Sequence, residues 1–422
     1  MTERLLQYIW QFQYFNNRNL LTSQGESLQI LYNGTYNTNQ GPDFLNAKIK
    51  TGNTTWAGSI EMHINASDWK AHQHSTDKNY NNVILHVVWR DDNKNLQLPF
   101  PTLELQQHVS SLLLNRYEEL MQSAQFIPCQ PHIRNVPELI LISWKERLLV
   151  ERLQKRSFYI ENLLQKNNQH WEETFWWMLA RNFGIKINSD AFERIAQSIP
   201  VNILAKHKNQ IQQLEALLMG QAALLDKIFD DDYPNMLRKE YNFLQKKYGL
   251  QKAHAPLYFL RMRPANFPTV RLAQLAMLVQ HSHHLFSCVR EADSLKAVQE
   301  LLDVTANDYW HYHYIFDEAT AFKKKTLGLQ MIQNICINTI IPVIYAYGYL
   351  NSIEAYKIKA LQWMEELSAE KNAITKGFQL MGLQNKSAYD SQALIQLKNE
   401  YCNYKHCLQC AVGNHLMKAN GA

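Results

Sequence analysis

The chain has 422 residues, of which 46% are hydrophobic and 19% are charged, and 43 basic against 38 acidic residues give a net charge of +5. This length predicts two or three domains with a sizeable buried core. The composition is typical of a soluble globular protein and excludes a disordered or fibrous one. So small a surplus of positive charge permits nucleic-acid binding but does not by itself indicate it.

The sequence contains no predicted targeting or membrane-spanning segment. The N-terminal residues MTERLLQYIWQFQYF are interrupted by charged and amide side chains, unlike a signal sequence. The longest apolar run, at residues 335–347, is too short to cross a bilayer and suits a buried helix. We therefore expect a cytoplasmic protein with no membrane partner. In that compartment the six cysteines are expected to be reduced, or bound to a metal or cofactor, rather than paired in disulfides.

The first quarter of the chain reads as a mixture of helix and strand. Apolar residues at helical spacing predict a first helix within residues 2–16. Alternating or continuously apolar runs predict strands at residues 27–32, 44–50, 56–64, 83–89 and 102–106. A capping serine or aspartate predicts one more helix, from residue 68 to about residue 78.

After residue 110 the apolar pattern is helical almost throughout. It predicts helices at residues 112–122, 138–166, 171–182, 190–198, 208–229, 235–247, 268–285, 293–303, 325–347, 353–367 and 387–401. The proline-marked segment FIPCQP at residues 126–131 is the predicted linker. The predicted fold class is therefore α+β, with an α/β domain at residues 1–125 and a large irregular all-helical domain at residues 126–422.

A pair of acidic residues lies in the predicted strands. Asp43 follows Pro42, and after seventeen more residues come Glu61, Met62 and His63. With the order helix, three strands, helix, strand, this motif resembles the PD-(D/E)XK nuclease superfamily.

That resemblance implies a mixed-sheet core in which Asp43, Glu61 and the Met62 carbonyl bind Mg²⁺ or Mn²⁺. His63 stands where the superfamily usually has a lysine that positions or activates water. It is therefore assigned a catalytic role, although an imidazole with a pKa near 6.5 is not a fixed cation.

Three further histidines suggest a competing centre. His72, His74 and His86, with a carboxylate, form a feasible Zn²⁺ ligand set. On a helix His72 and His74 would face apart, so they converge only if their segment is extended. Under the nuclease interpretation these three histidines and Asp68 would instead contact substrate or support the metal ligands.

The C-terminus carries a cysteine motif. Cys402, Cys407 and Cys410 form C-x4-C-x2-C, and the candidates for a fourth ligand are His406 and Cys129 in the linker. Thiolates at this spacing suit Zn²⁺ or an iron–sulfur cluster, and spacing alone does not separate the two. Ordinary reduced thiols are the alternative.

A third candidate site is a proline-broken loop with Arg261, Arg263 and Arg271, placed before a predicted helix. Guanidinium groups near a helix N-terminus suit phosphate, although such a loop equally ties helices together.

Over most of its length the sequence resembles an uncharacterised bacterial family known as domain of unknown function 2851. The resemblance is carried by GPDF at residues 41–44, WAGSIEMH at 56–63, DWKAHQH at 68–74, ILHVVW at 84–89, RPANFPTVRLAQLA at 263–276 and YCNYKHCLQCAVGN at 401–414. It implies no established activity.

The leading hypothesis is a metal-dependent phosphodiesterase that acts as a nuclease on nucleic acid. The first alternative is a non-catalytic nucleic-acid-binding or scaffolding protein on a degenerate nuclease fold. The second is a zinc-dependent hydrolase that uses His72, His74 and His86.

Overall fold

The computed structural model describes residues 1–260, 262–281 and 284–418. They form two compact units. The first consists of Met1–Trp144 and the C-terminal segment from Leu397, and the second is Lys145–Gln396. A domain boundary at residue 126 stays a prediction, and these units differ from it because the C-terminal cysteines belong with the N-terminal strands.

The first unit contains a mixed sheet. Its strands are β1 (Leu20–Leu21), β2 (Ser27–Tyr32), β3 (Thr35–Tyr36), β4 (Phe44–Thr51), β5 (Thr54–Asn65), β6 (Val83–Arg90) and β7 (Thr102–Glu104). Their order is β1-β2-β4-β5-β6-β7, and β3 pairs with β4. Neighbours up to β5 are antiparallel, whereas β6 runs parallel to β5 and β7 parallel to β6.

The helices occupy most of the remaining chain. They are α1 (Glu3–Gln11), α2 (Asp68–Ala71), α3 (Ser111–Gln122), α4 (Glu138–Lys166), α5 (Trp171–Phe183), α6 (Ser189–Gln197), α7 (Val201–His207), α8 (Ile211–Gln221), α9 (Asp232–Tyr248), α10 (Pro268–His281), α11 (Leu285–Glu291), α12 (Leu295–Leu301), α13 (Tyr309–Tyr312), α14 (Leu329–Ile335), α15 (Ile341–Leu350), α16 (Glu354–Glu366), α17 (Ala373–Leu380), α18 (Ala388–Gln396) and α19 (Ala411–Lys418).

Local sequence explains how the elements around the sheet centre form. Thr2 caps α1 by accepting a hydrogen bond from the Leu5 N–H, and the apolar stripe of α1 is buried. The middle of β5 is buried on both faces, as is most of β6. Gly58 lets the chain entering β6 approach β5, because a Cβ atom there would lie 2.4 Å from the Asn82 carbonyl oxygen.

The α+β class with an N-terminal mixed sheet is confirmed, and several predicted boundaries are corrected. The helix expected at residues 68–78 ends at Ala71, because Gln73 adopts a left-handed conformation with φ of 58°. The helix expected at residues 208–229 covers only Ile211–Gln221, after a separate helix at Val201–His207.

One described segment, Leu329–Leu350, is long and apolar enough to cross a membrane, but 72% of its most apolar 18-residue stretch is buried inside the structure. Such burial is what a core helix of a soluble protein shows, and it agrees with the buried helix expected there. A wide π-helical turn at Cys336–Ile340 divides the segment into α14 and α15. The cytoplasmic location stays a prediction.

Candidate metal centre

Asp43 and Glu61 lie side by side at the centre of the sheet. Asp43 immediately precedes β4, where Phe44 pairs with Ile60 of β5. Its backbone N–H donates to Glu61 Oε2 at 3.2 Å, and its own Oδ2 accepts the Met62 N–H at 3.1 Å. Asp43 Oδ1 accepts a bond of 2.8 Å from the Gln7 amide on α1. Both Asp43 oxygens therefore already have protein donors, whereas Glu61 Oε1 faces the histidines.

His63 lies two residues after Glu61 and therefore on the same face of β5. It is 1% exposed, and its Nδ1 is 2.9 Å from Nε2 of the fully buried His86 on β6. If His63 Nδ1 carries the proton and donates to His86, then His63 Nε2 is left as an electron-pair donor. His86 thus lies behind His63 and holds its ring, as the outer partner of a metal ligand does.

The turn after α2 brings His72 and His74 onto His63. Because α2 stops at Ala71 and Gln73 is left-handed, the chain reverses between the two histidines. His72 Nδ1 lies 3.2 Å from His63 Nε2, and one nitrogen each of His63, His72 and His74 lies within 4.8 Å of the others. His72 is exposed, so the cluster opens to solvent on its side.

The spacing of these atoms matches the coordination sphere of one ion. Glu61 Oε1 is 3.6 Å from His63 Nε2 and 3.5 Å from His74 Nε2. Ligands of a tetrahedral ion with bonds of about 2.1 Å lie about 3.4 Å apart. The His74 side chain is 10% exposed, and its Nε2 has no hydrogen-bond partner. The donor set of three imidazoles and one carboxylate is typical of a transition-metal site.

Burial controls the protonation of these groups. It lowers the pKa of His63 to about 3, aided by His86, and the pKa of His86 to about 4. The pKa of His74 is also lowered, first by burial and then by His72. These imidazoles are therefore neutral at pH 7, the form that binds metals. Burial, together with the neighbouring Asp43, raises the pKa of Glu61 above its usual range.

Burial raises the pKa of Asp43, and Glu3 on α1 adds to the effect. Among the described residues, no lysine or arginine is within 4.0 Å of either carboxylate. The positive charge of the lysine that the nuclease resemblance implies is thus not supplied by a neighbouring side chain. A bound metal ion would neutralise the negative charge of the two carboxylates instead.

The structure brings some of the predicted residues together and separates others. Asp43, Glu61, His63, His72 and His74 converge. His86 is adjacent but behind His63, so the converging trio is not the expected set of His72, His74 and His86. Asp68 is engaged elsewhere, because its Oδ2 accepts the Asn65 N–H at 2.9 Å. The Met62 N–H donates to Asp43, and a role for the Met62 carbonyl as a metal ligand stays a prediction.

Residues that the sequence did not single out complete the walls of the centre. Trp69 and Tyr80 flank His74: the Tyr80 ring stacks on it at 3.9 Å, and the Trp69 ring meets it edge-on at 5.3 Å. Glu3 and Gln7 act on Asp43 from one face of α1. The spacing of four residues between them is a signal that could have placed both on that face.

The four cysteines of the motif and linker lie in the same unit. Cys407 and Cys410 are near enough to raise the pKa of the buried Cys129 thiol, after the larger effect of its burial, to about 12. Cys410, Cys129 and Cys407 similarly add to the burial that raises the pKa of Cys402. The described residues contain only one group of three or more ligand atoms within 4.8 Å of one another, the histidine trio. The thiols are therefore neighbours at a wider spacing.

Hydrogen bonds hold the cysteine segment against the linker. Lys398 Nζ donates to the Phe126 carbonyl at 2.6 Å, and Lys405 donates to the Met121 carbonyl. His406 Nδ1 is bonded to the Glu400 carbonyl at 3.0 Å, which leaves its Nε2 free, so His406 and Cys129 both stay candidates for the fourth ligand. Gly413 is required here, because a Cβ atom would lie 2.1 Å from the Cys407 carbonyl oxygen.

Of the three predicted phosphate-binding arginines, Arg261 lies outside the described residues. Arg263 precedes the short turn of Pro264–Asn266, and Arg271 is buried in the first turn of α10.

Comparison with known proteins places the chain in a family. The family described as "Protein of unknown function (DUF2851)" matches residues 3–373, and the chain therefore belongs to it. Searches of curated proteins and of solved structures give no match. The site must accordingly be interpreted from its own chemistry.

Proposed function

We propose that this protein is a metal-dependent hydrolase with its centre at His63, His72, His74 and Glu61, and that it cleaves phosphodiester bonds in nucleic acid. The observation that carries the metal is the buried Nε2 of His74, which has no hydrogen-bond partner although other donor atoms surround it. A buried nitrogen in that position costs free energy. A bound cation would remove this cost and would compensate the Glu61 carboxylate.

The donor set favours Zn²⁺ or another first-row transition ion over Mg²⁺. Imidazole nitrogens suit such ions, whereas Mg²⁺ prefers oxygen ligands in octahedral geometry. The Mg²⁺ that the nuclease resemblance implies therefore does not fit this centre, and Mn²⁺ fits it better. When bound, Zn²⁺ supplies polarisation of a phosphoryl oxygen and a lowered pKa for water.

The protein groups have distinct roles in this proposal. His63, His72 and His74 hold the ion, and His86 fixes the ring of His63. Glu61 Oε1 faces the same point and either completes the ligand set or accepts the proton of the attacking water. Asp43 is a positioning residue, because its two oxygens join β4, β5 and α1 through hydrogen bonds.

The substrate part of the proposal rests on the resemblance to the nuclease superfamily. In support, when the two-residue strands β1 and β3 are set aside, the elements follow the order α1, β2, β4, β5, α2 and β6, and Asp43 immediately precedes β4, the neighbour of the strand that carries Glu61. The exposed side of the cluster at His72 gives a polymer access to the centre.

The test combines metal binding with cleavage. Zn²⁺ and Mn²⁺ are titrated into chelator-treated protein, and cleavage of linear, nicked and single-stranded DNA and RNA is followed with Zn²⁺, Mn²⁺ or Mg²⁺. We expect the wild type to bind Zn²⁺ and to cleave, and the His72→Ala, His74→Ala double variant to lose both. The matched control is His281→Ala, an exposed histidine in the second unit.

The outcomes distinguish the alternatives. Cleavage with Mg²⁺ that survives the double histidine variant but not Asp43→Ala would return the mechanism to an Asp43–Glu61 metal site. Metal binding without nucleic-acid cleavage would reject the substrate and favour a zinc hydrolase of another class. Absence of metal binding would favour the non-catalytic alternative.

A further inference from the structure

A second feature lies in the second unit, where a cavity is lined by four cations that form no ion pair with an acidic side chain among the described residues. Its volume is about 450 Å³, and its fifteen lining residues include Arg271, Lys323, Lys324 and Lys325 but no aspartate or glutamate. Cavities of this size suit small molecules rather than single water molecules. The lining therefore indicates a negatively charged occupant.

Arg271 is the most informative side chain of this cavity. It is 7% exposed, and its two terminal nitrogens donate to neutral amides: Nη1 to Gln274 at 3.0 Å and Nη2 to Asn266 at 2.5 Å. Its Nε is buried and has no hydrogen-bond partner, and no carboxylate lies within 4.0 Å among the described residues. A buried guanidinium normally has an anionic partner, because an uncompensated charge is costly to desolvate.

Lys325 adds a second buried cation, and no carboxylate of the described residues forms an ion pair with it. It is 4% exposed, and its ammonium group donates to the Lys323 carbonyl at 3.1 Å and lies 3.8 Å from the centre of the Tyr314 ring. Gln274 joins the two cations, since it accepts from Arg271 and donates to the Lys325 carbonyl. Gln274 thereby links the first turns of α10 to the segment of Lys325 in the wall of the cavity.

The helix geometry strengthens the positive potential. Arg271 occupies the first turn of α10, a helix of fourteen residues, where the helix dipole is positive and acidic residues are favoured. Arg271 therefore places a positive charge in a helical turn where a negative charge is favoured. An anion held there would interact with the helix N-terminus, with the Arg271 Nε–H and with the exposed Lys323 and Lys324.

We propose that this cavity binds the phosphoryl group of a phosphorylated small molecule, with Arg271 as the buried anchor and Lys323 and Lys324 as the outer contacts. Planar guanidinium and flexible ammonium groups together are the usual protein ligands of phosphate. The proposal is independent of the metal centre, because every residue that carries it lies within Lys145–Gln396.

The test measures binding of inorganic phosphate and pyrophosphate by calorimetry and by the shift in thermal unfolding, using the full chain in phosphate-free buffer. We expect both anions to bind and raise the melting temperature, pyrophosphate more than phosphate because it carries more charge. Arg271→Gln should weaken both by about tenfold or more, since a charge-assisted hydrogen bond is lost.

A second variant protects the test against misfolding. Lys323 and Lys324 are exposed, so the Lys323→Gln, Lys324→Gln double variant should fold normally and still bind several-fold more weakly. Lys376→Gln, an exposed lysine on α17, is the control and should bind like the wild type.

Several results would overturn the proposal. These are no binding of either anion by the wild type, or binding that is unchanged in both the Arg271 and the double lysine variants. Binding of single-stranded DNA that depends on Arg271, with no binding of phosphate or pyrophosphate, would assign the cavity to a polymer and reject a small-molecule ligand.

Discussion

The two ligand clusters of the first unit differ in the spacing of their donor atoms. In the histidine cluster, Glu61, His63, His72 and His74 present neighbouring donor atoms 3.2 to 3.6 Å apart, which is the spacing around one ion. The four cysteines are mutual neighbours, yet no three thiols among the described residues lie within 4.8 Å of one another. A single Zn²⁺ with Zn–S bonds of about 2.3 Å would need thiolates about 3.8 Å apart.

Sequence spacing leaves Zn²⁺ and an iron–sulfur cluster both open at the cysteines. Around a cubane iron–sulfur cluster the ligand sulfurs lie roughly 6 Å apart, because each binds a different iron atom. From the wider spacing of the thiols we predict a polynuclear cluster at the cysteines, and from the tighter histidine spacing a single ion. Burial raises the pKa of Cys410, and the N–H groups of Gly413 and Val412, which point to its sulfur at the start of α19, partly oppose that effect.

The largest effect is expected at the cysteines. Protein purified without oxygen should contain about four iron and four acid-labile sulfide per chain, and Cys402→Ser should lose them. Because cluster binding contributes to folding, this variant should also lose about 5 kcal/mol or more of its free energy of unfolding. Iron and sulfide analysis, visible absorption and denaturant unfolding provide the measurements.

Cys288→Ser is the matched control for the cysteine site. It changes an exposed cysteine of the second unit and should leave the iron and sulfide content unchanged. The histidine centre cannot account for sulfide, so the two sites are distinguished in the same sample. One zinc per chain at the cysteines with no sulfide would show that the thiols close around a single ion and would contradict the comparison.

A smaller effect is expected at His86, which should tune the histidine site without binding the ion. His86→Gln removes the imidazole that orients His63 through the 2.9 Å contact. Loss of such an outer partner reduces metal affinity by about 10- to 100-fold. Competition titration with a chromophoric chelator measures the affinity for Zn²⁺.

His132→Gln, at a side chain that is 45% exposed, is the matched control. If His86→Gln abolished Zn²⁺ binding as completely as the His72→Ala, His74→Ala double variant, His86 would belong among the ligands, as the second alternative has it. Unchanged affinity would instead show that His86 only fills space in the core.

The sequence predicted the strands around the site because their patterns are local. The continuous apolar run of β6 and the alternation along β4 are readable without tertiary information. The adjacency of Asp43 and Glu61 was implied by the resemblance to the nuclease superfamily. The strands β1 and β3 were missed because two residues form no period.

The histidine trio could not be predicted, because it depends on one backbone torsion. The letters DWKAHQH favour a continuing helix, and a helix would direct His72 and His74 apart. The left-handed Gln73 ends the helix and turns His74 back toward His63. Non-glycine residues rarely adopt that conformation, so no residue type in the segment signals it.

The smallest effect concerns pH and the Glu61 carboxyl group. Burial and Asp43 raise its pKa in the folded protein above the value in the unfolded chain. Its contribution to stability is therefore present below the unfolded pKa and is lost as the pH rises through the folded pKa. Metal-free wild type should lose about 1 to 3 kcal/mol of unfolding free energy between about pH 6 and pH 9, and Glu61→Gln should lose less.

His63 acts in the opposite direction at lower pH. Its folded pKa of about 3 lies below the ordinary value of 6.5, so its contribution to stability is present above pH 6.5 and is lost as the pH falls toward 3.

Zn²⁺ must displace the Glu61 proton if that carboxylate faces the ion. Titrations in buffers of different ionisation enthalpy should therefore show proton release that is absent in Glu61→Gln. Equal release by both proteins would remove Glu61 from the centre. Glu119→Gln, an exposed carboxyl, should behave like the wild type.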